Sequence, residues 1–248
     1  MAYVSFPDGY LWRARSDGSE RRQLTSGPMA ALNPHWSPDG KEIAFTGSLQ
    51  GSTWKTFIIP AEGGEVQQLT RGDCPELDAN WSPDGTQILF GLYVDRVAGT
   101  SCPVVLSTID LKSHEISTVP GSNGLFGPRW SPDGMRIVAQ TAGVDRLMIY
   151  ERASSKWSEL VGSVPGRFVG FPQWSPDGRS IYYWVGGPEN ALNRIWIEDH
   201  RTEKLLDMSG IETTGNSGYW GAVDPQGNPL ILRAITLSEI YALDVDLP

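Results

Sequence analysis

The sequence predicts an all-β fold, a β-propeller of about six blades with incomplete terminal blades, and three observations carry that prediction. A turn, Trp-Ser-Pro-Asp-Gly, stands at Trp36, Trp81, Trp130 and Trp174, with a worn copy at Val223 to Gly227, at intervals of 45, 49, 44 and 49 residues. That period suits one four-stranded blade per repeat and is too long for a single solenoid coil. Each turn is followed by a short β-branched or aromatic run, and 28 Gly with 18 Pro in 248 residues leave little room for helices.

The turn itself reads as a hairpin. Pro presets φ for the first corner, Asp tolerates the second and can bond the backbone, and Gly takes the left-handed position from which the next strand departs. The Trp ends a short inner strand, as in Asn33 to Trp36, Gly127 to Trp130 and Phe171 to Trp174. The second strand follows the turn, at Ile43 to Phe45, Ile88 to Phe90, Ile137 to Ala139, Ile181 to Tyr183 and Leu230 to Leu232. A third strand is read at Leu11 to Ala14, Phe57 to Ile59, Val104 to Leu106, Leu147 to Tyr150, Ile195 to Ile197 and Ile240 to Leu243. A fourth closes each unit, at Gln23 to Thr25, Gln68 to Thr70, Ser117 to Val119, Glu159 to Val161 and Leu205 to Leu206. Ala2 to Phe6 already reads as strand, so the chain opens within a repeat. Residues 1–248 are therefore expected to form a single propeller domain that is a fragment of a longer protein, with six sectors and two of them incomplete. Exposed strand edges in those two sectors predict fraying there, or a dimer through the incomplete blades.

Composition narrows the partners. Twenty basic against 29 acidic side chains give a net charge of −9 with no basic run, which argues against nucleic acid. No apolar run is long enough to span a bilayer, so no membrane insertion is expected.

The repeated turn resembles the WD-like repeats of the TolB propeller family, in the four near-perfect copies of Trp-Ser-Pro-Asp-Gly with a Pro two residues before the Trp in three of them. The resemblance covers essentially the whole chain. TolB is a periplasmic six-bladed propeller that helps link the outer membrane to the peptidoglycan and binds a peptidoglycan-associated lipoprotein. The resemblance therefore implies a non-catalytic protein- or ligand-binding or sensory module in a periplasmic or extracytoplasmic location. TolB also carries an N-terminal α/β domain that has no counterpart here, and similar propellers form sensory halves of longer bacterial kinases and winged-helix regulators.

Enzymatic signatures are sparse. There is no Gly-x-Ser-x-Gly elbow, and three histidines offer few candidates for a relay or a histidine-rich metal site, so no cofactor and no metal are expected. The alternative is the propeller of a hydrolase or lyase with a site at the channel mouth. The motif aspartates Asp39, Asp84, Asp133 and Asp177 belong to different blades and are read as turn residues, and the four motif Trp residues as core between blades.

Binding candidates fall in two groups. His35, Asn80, Arg129 and Gln173 precede the motif Trp residues on the innermost strand, where a wet central channel or the neighbouring blades would satisfy them. Arg167, Phe168, Phe171, Tyr219 and Trp220 lie on the face of long loops, where a protein or small-molecule ligand would find aromatic and guanidinium anchors. Cys74 and Cys102 fall in two loops of one blade that open on this face, and are the candidate disulfide.

Overall fold

The computed structural model describes residues 1–50, 52–93, 102–163, 165–211, 221–224 and 226–231. It is built of antiparallel strands, with no helix among the described residues. Blade 1 has three strands, β1 (Ala2–Val4), β2 (Leu11–Arg13) and β3 (Arg22–Gln23). Blade 2 comprises β4 (Met29–Trp36), β5 (Glu42–Leu49), β6 (Lys55–Pro60) and β7 (Gln67–Gln68). Blade 3 comprises β8 (Glu76–Trp81), β9 (Gln87–Leu92), β10 (Val105–Asp110) and β11 (Ile116–Thr118). Blade 4 comprises β12 (Leu125–Trp130), β13 (Arg136–Thr141), β14 (Leu147–Glu151) and β15 (Lys156–Val161). Blade 5 comprises β16 (Phe168–Trp174), β17 (Ser180–Gly186), β18 (Ala191–Trp196) and β19 (Thr202–Asp207), and a hairpin of β20 (Gly221–Val223) and β21 (Pro229–Ile231) follows.

The described residues thus build five blades rather than about six. The sixth sector is represented by the two-stranded hairpin, whose worn turn brings no Trp to the junction with blade 5. The strand expected at Ile240 to Leu243 lies outside the described residues.

Each full turn closes as its residues require. Ser37 Oγ donates to Asp39 Oδ1 at 2.7 Å, the Glu42 amide donates to Ser37 Oγ at 3.0 Å, and Gly40 has φ +71°. Ser82 with Asp84, Ser131 with Asp133 and Ser175 with Asp177 repeat the arrangement. Each of these aspartates commits its Oδ1 to its own turn.

The core lies between blades. Ile43 and Phe45 face blade 1, joining Leu11 and Leu24, whereas Ala44 faces blade 3 with Trp81, Ile88 and Phe90. Leu89 turns the other way, toward Trp130 and Ile137 of blade 4, and Val138 packs with Trp174 and Ile181 of blade 5. Successive side chains of a strand point to opposite faces, and here both faces are covered, so the second strands read as unbroken apolar runs rather than alternating ones.

Three motif Trp residues are buried at 8% exposure, but Trp36 is 37% exposed, which corrects the expectation for that copy. The buried ones pack on the inner strand of the preceding blade: Trp81 Nε1 donates to the His35 carbonyl and Trp174 Nε1 to the Arg129 carbonyl, each at 3.1 Å. Among the described residues blade 1 consists of β1, β2 and β3 and offers Trp36 no such strand.

The inner strands are longer than the sequence suggested. β4 spans Met29–Trp36, where the reading began at Asn33. Its register slips between Leu32 and His35, so Asn33 and Pro34 together oppose one residue of β5. The same bulge occurs at Asp78, Gly127 and Phe171. A bulge interrupts period-two alternation, and Pro within it looks like a strand end.

Candidate functional site

The first residue of each bulge is left-handed, with φ of +49° at Asn33, +60° at Asp78, +60° at Gly127 and +52° at Phe171. Asn, Asp and Gly tolerate this conformation, and a bulky aromatic does not adopt it without support. Phe171 is the exception in the repeat, and the chain around it supplies the support. Its amide donates to Gln140 Oε1 of blade 4 at 2.7 Å, and Gln140 is buried.

The bulge aims the Phe171 ring at two others. Its centroid is 5.4 Å from Phe168 and 5.9 Å from Trp184, and Phe168 and Trp184 are 4.6 Å apart. All three rings are half-buried. Cross-strand register pairs Phe168 with Gly186 and Gly170 with Trp184, and the Phe168 ring lies over Gly170 and the Trp184 ring over Gly186. A Cβ at Gly170 would collide with Gln140 Oε1 and the Phe168 ring, and one at Gly186 would stand 2.8 Å from Trp184. These glycines are the floor of the cluster. Trp184 Nε1 donates to Asn190 Oδ1 at 2.5 Å, and Arg167 pairs with Glu189 at 2.7 Å beside it.

Arg167, Phe168 and Phe171 are therefore brought together, and Trp184, Gln140, Asn190 and Glu189 join them. Sequence reasoning missed Trp184, because it sits within an apolar strand that reads as core. Phe171 carried a signal: at its position the other repeats have Asn, Asp and Gly. Tyr219 and Trp220 lie outside the described residues.

The axial candidates separate from this cluster. Asn80 is buried, and its Nδ2 donates to the carbonyls of Asp78 at 2.8 Å, Leu89 at 3.1 Å and Pro128 at 3.0 Å. Arg129, also buried, donates to Asp78 Oδ1 at 3.1 Å and to the Pro128 carbonyl at 2.7 Å, while Asn33 Nδ2 reaches the same Asp78 oxygen at 3.0 Å. These bonds tie the inner strands of blades 2, 3 and 4 together. His35 and Gln173 remain partly accessible. Burial first, and the Arg129 guanidinium second, push His35 from 6.5 down to about 3 against the pull of Asp78, so the imidazole is neutral at physiological pH. His114 and His200 are exposed in turns between third and fourth strands.

Cys74, before β8, and Cys102, before β10, are joined by a disulfide with Cα atoms 5.5 Å apart. Beside it, Lys55 Nζ donates to the Cys74 carbonyl at 2.6 Å and pairs with buried Glu76 at 3.2 Å. Among the described residues, no three His, Cys, Asp or Glu side chains are grouped to hold a metal ion.

No protein-family model matches the chain. A segment of 94 residues, 36% of the chain, is 33% identical to the Tol-Pal system protein TolB of Alcanivorax borkumensis and spans 21% of that protein's length. Among solved structures, a TolB of Agrobacterium tumefaciens superposes with a TM-score of 0.73 at 21% identity, over 93% of this chain and 84% of that one. TolB of Acinetobacter baumannii gives 0.72 at 18% identity, over 94% of this chain and 63% of that one. An oligogalacturonate lyase in complex with manganese gives 0.51 at 14% identity, over 97% of this chain and 86% of that one. The repeat, the blades with their inter-blade cores and these likenesses agree: the chain is a TolB-like β-propeller.

Proposed function

We propose that this propeller is a non-catalytic, extracytoplasmic binding module that takes a protein segment on its loop face. Phe168, Phe171 and Trp184 are the anchors, and Arg167 with Glu189 forms a polar rim. The observation that supports it most directly is Phe171, held at φ +52° by Gln140 where the repeat otherwise places Asn, Asp or Gly. A strained aromatic is here kept half-exposed among two others, and such strain concentrates where ligands are clamped. Aromatic residues with a charged rim are the composition of interface hot spots.

The test is selection of displayed peptides on the immobilised chain, followed by affinity measurement. Selected peptides should lose about tenfold or more in affinity to Trp184→Ala, the cost of one hot-spot anchor, and be unaffected by Asp39→Asn on the opposite face. Failure to select any peptide, or peptides indifferent to Trp184→Ala, would count against the proposal. The second reading, a catalytic propeller with a site at the channel mouth, draws on the fold likeness to the lyase. Turnover of an oligogalacturonate substrate, abolished by replacing His35 or Gln173, would favour it.

A further inference from the structure

The repeat is broken at a second place, on the face opposite the aromatic cluster. After the third strand of each blade, one amide donates to the carbonyl of the residue following the turn glycine. The donors are Ala61 to Lys41, Leu111 to Thr86, Arg152 to Met135 and Ile197 to Arg179, so these four positions are equivalent. Three are apolar, and Leu111 and Ile197 pack on the inter-blade cores. Blade 4 alone among them carries a cation.

The neighbouring Trp departs from the pattern with it. Trp81 and Trp174 donate to inner-strand carbonyls of the preceding blade. Trp130 is equally buried, yet its Nε1 has no hydrogen-bond acceptor among the described residues. Arg152 lies over its ring, Cζ 5.2 Å from the centroid, and donates to the Gly134 carbonyl at 3.0 Å. No carboxylate pairs with Arg152 among the described residues. Where these departures meet there is a groove of about 400 Å³ between blades 3 and 4, lined by Asp84, Gln87, Trp130, Asp133, Gly134 and Arg152 among others. That volume is within the range of small-molecule sites.

We propose that this groove binds a neutral saccharide. The lining selects against the other classes. An anion would meet the carboxylates of Asp84 and Asp133, and a cation would meet the guanidinium of Arg152. An apolar ligand would leave the polar wall unsatisfied. Hydroxyl groups both donate and accept, so one sugar ring can donate to the carboxylates while accepting from Arg152. The site lies on the other face from Phe171, so its test is independent of the function proposed above.

The experiment follows the indole ¹H–¹⁵N resonance of Trp130, assigned by its loss in Trp130→Phe. The chain is titrated with glucose, galactose, mannose, N-acetylglucosamine, maltose and cellobiose, and separately with acetate, phosphate and methylammonium. At least one saccharide should shift the Trp130 resonance saturably while leaving that of Trp174 in place, and the charged compounds should not. Arg152→Leu, which installs the residue type of Leu111, should weaken that binding about tenfold or more, as expected for a lost hydrogen bond from a charged donor, with the β circular dichroism retained. Gln87→Ala should weaken it as well. The proposal is overturned if none of the six sugars moves the resonance, if acetate, phosphate or methylammonium moves it saturably instead, or if saccharide binding is the same in both variants.

Discussion

Lys55→Met tests how the disulfide-bearing loop is held. Lys55 and Glu76 form an ion pair whose side chains are 6% and 4% exposed. Glu76 accepts from the Thr56 amide at 3.1 Å, from Thr56 Oγ1 at 2.7 Å and from Thr70 Oγ1, and Lys55 also holds the Cys74 carbonyl. Removing one partner of a buried pair costs about 3–5 kcal/mol, because the other charge stays buried without compensation. Three donors remain on Glu76, which places the expected loss at the lower end, about 3 kcal/mol. For a domain of this size that corresponds to a fall in Tm of about 6–12 °C. The double variant Lys55→Met, Glu76→Gln removes both charges and keeps an acceptor for the threonines, so it should recover most of the loss and stand within about 1 kcal/mol of the parent. Urea denaturation of the parent, both single variants and the double variant gives the coupling directly. The reasoning is refuted if Lys55→Met costs less than about 1 kcal/mol, or if the double variant is no more stable than Lys55→Met alone.

Three further outcomes follow from the same structure. Phe171→Gly should be more stable than Phe171→Ala by about 1 kcal/mol, since both lose the ring contacts but only alanine keeps the left-handed penalty; chemical denaturation giving the reverse order would remove the argument for strain at this bulge. Asp39 is drawn down to about 2, first by the Ser37 hydroxyl and then by the Lys41 amide. A carboxylate lowered on folding stabilises fully above its unfolded value near 3.8, and that contribution fades as pH falls through about 2. Ser37→Ala should therefore raise the Asp39 titration in carboxylate ¹³C spectra and shift the onset of acid unfolding to higher pH. Reduction of the disulfide, which closes a 28-residue separation, should cost about 3–4 kcal/mol by chain entropy; thiol titration of never-reduced, denatured chain should find no reactive thiol, and two per chain would show the bond unformed.

Much of this architecture was legible because a propeller repeats its local chemistry. Ser, Pro, Asp and Gly in that order dictate a turn through backbone preferences that act within five residues, so four copies at blade-length intervals announce the blades before any contact is known. Apolar runs such as Ile88 to Phe90 tell that both faces are buried for the same local reason. The turn aspartates and the exposed His114 and His200 could be placed from their own segments.

What escaped the sequence depends on neighbours far along the chain. Trp36 repeats its motif perfectly, yet it is exposed because its burial depends on an inner strand in the blade before it. For Asn80 and Arg129 the sequence left channel water and neighbouring blades both open, and the reach of the Pro128 carbonyl and Asp78 makes them ties between blades. Trp184 looks like core until the Phe171 bulge turns a ring toward it. Local sequence determined the turns, the strands and their count per blade; the assembly of blades decided which polar groups are satisfied, which aromatic rings meet and which indole is left without an acceptor, because hydrogen bonds and packing between blades join residues some 45 positions apart.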